Sequence, residues 1–104
     1  MNAPLLVTVE RRKHVRHDII LPAKISLGDN GELLPCTVLD VSLGGGRIKL
    51  HQHIDLPDRI TLLFTPSGSV QRSCRVVWRR GDQVGLEFFG QFDRLDQVPG
   101  FNGT

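Results

Sequence analysis

Apolar side chains recur at every second position across residues 19–27, at Ile19, Leu21, Ala23, Ile25 and Leu27, with Lys24 and Ser26 between them. That period belongs to a strand with one buried face. Leu34, Cys36 and Val38 repeat it in a second strand ending near Asp40, and a short third strand over residues 46–50 follows a glycine run. Ile60, Leu62 and Phe64 mark a fourth strand after the break at Pro57-Asp58. Val70, Cys74, Val76 and Trp78 share one parity against Gln71, Ser73, Arg75 and Arg79, which makes a fifth, and residues 84–89 make a sixth. The connections Gly28-Asp29-Asn30-Gly31, Pro66-Ser67-Gly68-Ser69 and Gly81-Asp82 carry turn chemistry, because Gly and Asn tolerate positive φ and Pro presets a bend. Many short strands with hardly any 3.6-residue periodicity predict an all-β antiparallel barrel or sandwich. Residues 92–98 leave room for at most a short turn of helix.

With 104 residues the chain is one domain, able to bury a single core. Its 39% of apolar residues come in runs of only a few, such as Ile19-Ile20-Leu21, so no membrane span fits. The first residues show no basic region ahead of a sustained apolar stretch and do not read as a signal peptide, so a cytoplasmic protein is expected. The pattern divides the chain into a flexible segment over residues 1–9, a barrel domain with a basic arm over 10–90, and a tail over 91–104.

Candidate chemistry narrows quickly. Cys36 and Cys74 lack metal spacing and read as core thiols. His51-x-His53 has no third ligand at a suitable spacing, so no metal is expected. There is no nucleophile elbow, Walker loop or dinucleotide fingerprint, and Gly44-Gly45-Gly46 is not followed by a Lys-Ser/Thr pair. The chain therefore reads as a binding protein without a cofactor, not an enzyme. The net charge is only +2, yet four of the 13 Lys/Arg residues fall between positions 11 and 16. A basic arm of this kind suits an anionic partner. With no Tyr and one Trp, stacked nucleic acid is not the expected partner.

Two segments give that anion an identity. Arg11-Arg12-Lys13-His14-Val15-Arg16 concentrates guanidinium forks, which grip phosphates or the O6/N7 edge of guanine bidentately. Asp40-Val41-Ser42-Leu43-Gly44-Gly45 supplies a carboxylate, a hydroxyl and flexible backbone, suited to the opposite, donor-rich edge. Capping of a local turn is the plainer role for Asp40 and Ser42. Arg12-x-x-x-Arg16 followed by Asp40-x-Ser42-x-x-Gly45 resembles the paired signature of PilZ domains, bacterial receptors for cyclic di-GMP. The resemblance covers about residues 10–90. It implies a six-stranded β-barrel of PilZ type and a cyclic di-GMP site at Arg11, Arg12, Arg16, Asp40, Ser42 and Gly45. Arg11 matches the basic residue that often precedes the arginine motif. Trp78 either packs in the barrel or lays its indole over a guanine. Arg47 and Arg79 add charge at the rim or are simply solvated. The implied function is a receptor that changes conformation on binding and signals to a downstream protein in motility or biofilm control. The alternative is a barrel module that binds a protein or nucleic acid with no nucleotide dependence.

Overall fold

The computed structural model describes residues 15–28 and 31–101. Six strands form a closed antiparallel barrel: β1 (His17–Ser26), β2 (Leu33–Val41), β3 (Gly45–Leu50), β4 (Arg59–Leu63), β5 (Gln71–Arg80) and β6 (Gln83–Phe88). Their order around the barrel is β1-β2-β3-β6-β5-β4. The expected all-β barrel is therefore the architecture observed. A 3-10 turn at Leu95–Gln97, after β6, is the only helical element among the described residues. The periodicity that predicted the strands also fills the core: Ile25, Cys36, Val38, Ile48, Leu62, Cys74 and Val84 are fully buried. Burial pushes the Cys36 and Cys74 thiols up to about 12, so they are protonated packing groups.

The turns follow from backbone freedom. Gly81 opens the two-residue connection between β5 and β6 at φ +63, and Gly68 turns between β4 and β5 at φ +78. Asp29 and Asn30 of the first hairpin lie outside the described residues, as does the whole of 1–14. Core packing continues past residue 90. Phe92 meets Phe64 and Phe88 edge-on, with ring centroids 5.5 and 5.6 Å away, and Leu95 and Val98 are buried beside it. Phe89, expected to continue the last strand, lies beyond its end and is exposed.

The pairing register shifts in three places, between Asp18 and Leu21 of β1 and at two further points that bear directly on the site. Val38 pairs with Ile48, yet Asp40 pairs with Arg47, so Leu39 is an extra residue in β2. Val76 pairs with Leu86, yet Trp78 pairs with Gly85, so Val77 is an extra residue in β5. Each is a β-bulge, which reverses the parity of the residues beyond it. Trp78 thus does not share a face with Val76, contrary to its spacing. It turns outward and is 41% exposed. The same device turns Asp40 away from the core row of Cys36 and Val38 toward Arg47.

Candidate functional site

The bulges align one row of side chains across the barrel wall. Asp18 on β1 pairs with Asp40, Asp40 with Arg47, Arg47 with Gly85, and Gly85 with Trp78. Above that row lies a cleft of about 280 Å3, lined by Arg16, Ser42, Gly44, Gly45, Gly46, Arg47, Val77, Trp78, Gly85, Leu86 and Glu87. Four glycines line it, and at two of them the geometry requires glycine. A Cβ on Gly45 would stand 2.3 Å from the Leu86 carbonyl oxygen, and one on Gly85 would stand 2.1 Å from Trp78 Nε1. The Trp78 indole therefore occupies the space that a side chain at Gly85 would need.

The loop from Ser42 to Gly45 is a tightly bonded turn. The Ser42 amide donates to the Gly45 carbonyl at 2.8 Å, the Ser42 hydroxyl donates to the same oxygen at 3.2 Å, and the Gly44 amide donates to the hydroxyl at 3.3 Å. Capping thus engages the hydroxyl's one proton and one of its two lone pairs, leaving one acceptor site. The Phe92 amide donates to the Leu43 carbonyl at 2.9 Å and the Phe88 amide to the Gly44 carbonyl at 2.8 Å, so the tail and β6 hold the turn in place.

Asp40 lies beneath the cleft and not on its wall. Its side chain is 4% exposed. Arg47 donates from Nε to Asp40 Oδ2 at 2.9 Å, and Arg16 Nη1 stands 3.8 Å from the same oxygen. Asp40 Oδ1 is buried with no hydrogen-bond partner. Arg47 also donates from Nη1 to Gln83 Oε1 at 3.1 Å. Glu87 is a second carboxylate at the cleft, and Arg75 balances it with two bonds to Oε1 at 3.0 and 2.7 Å. Two guanidiniums, Arg16 and Arg47, thus line the space, and the charge on Glu87 is already paired.

Of the residues expected from sequence, Arg16, Ser42, Gly45 and Trp78 meet at this cleft, with Asp40 directly below. Arg11 and Arg12 lie outside the described residues. Arg47, expected only as rim charge, is the closest partner of Asp40. Glu87 and Gly85 line the cleft as well, and neither is among the residues expected there. One signal for Arg47 is present in the sequence: a hairpin closing around Ser42–Gly45 pairs Val41 with Gly46 and so Asp40 with Arg47. Arg79 is structural, donating to the carbonyls of Ile54 and Gly81. His51 bonds the Thr37 hydroxyl at 2.7 Å, and among the described residues no His/Cys/Asp/Glu group is placed to hold a metal.

A closed barrel bearing a small, arginine-lined cleft beside one outward-facing indole has the form of an anion-binding receptor domain. The family model of the PilZ domain matches residues 10–97, and the chain belongs to that family. No curated protein matches it. PilZ domains are cyclic di-GMP receptors, ligand-binding and adaptor domains that are not typical enzymes. Among the described residues no helix is long and apolar enough to cross a membrane.

Proposed function

We propose that this protein is a cytoplasmic bacterial receptor that binds cyclic di-GMP on the cleft, changes conformation in its N-terminal arm, and passes the signal to a partner protein without catalysing a reaction. One observation carries this reading: Arg16, from the first signature segment, and Ser42 and Gly45, from the second, line a single cleft with Asp40 directly beneath it, although the two segments are far apart in sequence. The residues assigned to the ligand site are Arg11, Arg12, Arg16, Asp40, Ser42, Gly45 and Trp78, with Asp40 acting from beneath the cleft. The arginines take phosphate or the guanine O6/N7 edge, the glycine backbone admits the ligand without a side-chain clash, and Trp78 stacks on a base. Ligand can drive the arm only by binding its two arrangements with different affinity.

Calorimetry with cyclic di-GMP, using GTP and cyclic GMP as controls, tests the reading. Saturable binding of cyclic di-GMP alone is expected. Arg12→Ala or Arg16→Ala should weaken it on the order of ten- to more than a hundredfold with the barrel intact. Arg16→Lys should also lose affinity, because it keeps the charge but not the fork. Equal titrations for wild type and both alanine variants would remove the arginines from the site. No binding by the wild type would leave the nucleotide-independent barrel module as the better account.

A further inference from the structure

We propose that Arg47 is a direct ligand contact, its free guanidinium edge taking the O6/N7 edge of a guanine stacked on Trp78, and that Asp40 and Gln83 are the positioning residues that aim it. This rests on the cyclic di-GMP reading above.

The argument begins with donors. Arg47 has five N–H groups. One on Nε goes to Asp40 and one on Nη1 goes to Gln83, so Nη2 and the second Nη1 hydrogen remain for an incoming acceptor pair. The side chain is 34% exposed and lines the cleft, whereas the carboxylate that holds it is almost wholly buried. An arginine fixed at two points presents its fork with little freedom left to lose, which is the arrangement that makes bidentate recognition specific. Register supplies the base. Arg47 pairs with Gly85, and Trp78 pairs with Gly85 from the other side. Adjacent strands lie about 4.8 Å apart. A purine resting on the indole above Gly85 therefore directs one edge at Arg47. Asp40 stands behind that fork: Oδ2 accepts from Arg47 and Oδ1 is buried, so in this arrangement the carboxylate holds the guanidinium.

Two variants and one modified ligand test the assignment. Arg47→Gln should weaken cyclic di-GMP binding on the order of ten- to a hundredfold. The double variant Asp40→Asn/Arg47→Gln leaves no lone buried charge, and it should bind no worse than Arg47→Gln. If the single variant does not fold, the double variant carries the test. A further loss of similar size in the double variant would make Asp40 a direct reader and overturn its positioning role. The 7-deazaguanine analogue of cyclic di-GMP lacks the N7 acceptor, so wild type should bind it more weakly than the parent, and that penalty should shrink in the Arg47 variants. An undiminished penalty would overturn the base-edge assignment. Wild-type binding with unchanged affinity in both variants would overturn the inference and leave the receptor reading standing. Failure of the wild type to bind would remove both.

Discussion

Gly85→Ala is the most informative single substitution in this barrel, because its effect depends on one other side chain. An alanine Cβ there would meet Trp78 Nε1 at 2.1 Å, Cε2 at 2.4 Å and Cδ1 at 2.7 Å. Real atoms do not approach so closely, so the indole must leave. Trp78 is 41% exposed and has solvent to swing into. A tryptophan hides up to about 250 Å2 when fully buried. Return of the covered portion, roughly 150 Å2, at about 25 cal/mol per Å2 sets a ceiling of roughly 4 kcal/mol. A partial swing costs about half that. Against it stands the gain of about 0.4–1 kcal/mol from restricting the unfolded chain when glycine becomes alanine. The expected net loss is about 1–3 kcal/mol. Because Trp78 is the only tryptophan, intrinsic fluorescence reads the motion directly. Emission should shift to the red, acrylamide quenching should rise, and the denaturation midpoint should fall. Trp78→Ala provides the control. In that background Gly85→Ala meets no indole and should be neutral or slightly stabilising, so the sign of its effect reverses. The same destabilisation in both backgrounds, or unchanged emission in the first, would refute the packing argument.

The remaining expectations concern the core thiols and the arm. Cys36 and Cys74 ionise near 12 in the folded protein against 9.0 ordinarily, chiefly through burial. Below pH 9 both states hold these protons and nothing is lost. From about 9 to 12 only the unfolded chain releases them, so stability should fall by at most about 1.4 kcal/mol per pH unit for each thiol. Cys36→Ala and Cys74→Ala should flatten that alkaline slope in denaturation curves, and an unchanged slope would show that the thiols do not set it. Hydrogen exchange should show protection at residues 10–17 rising when cyclic di-GMP is added, with much smaller changes in the strands. Equal protection in both states would place the conformational response elsewhere.

The barrel was legible because its core obeys a period of two: Ile25, Cys36, Val38, Ile60, Leu62 and Cys74 stand where alternation places them. Arg16, Ser42 and Gly45 were legible as parts of the paired PilZ-like signature, and the structure brings them to one cleft. The parity of Trp78 points to the wrong face, and the contact of Arg47 with Asp40 escapes the same reading, for one shared reason. A bulge leaves no mark in a count of hydrophobic residues, because Leu39 and Val77 are as apolar as the strand residues around them. Cross-strand matching reveals what single-strand parity hides. Val38 and Ile48 both belong in the core, while the hairpin turn pairs Asp40 with Arg47, and both conditions hold only if β2 carries one residue too many. Gly85 gave no such clue, since its meaning lies in the indole of another strand.

Those two extra residues make the spacing along the chain part of what builds the cleft. Moving the signature segments into another six-stranded barrel would carry over every named side chain and still fail if the recipient lacked residues equivalent to Leu39 and Val77. The carboxylate and the indole would then face inward, where one is an uncompensated buried charge and the other overfills the core. Deleting Leu39 here should likewise cost both folding and binding, although Leu39 does not line the cleft. For anyone grafting or redesigning this barrel, a residue that does not line the cleft has to be counted among those that shape it.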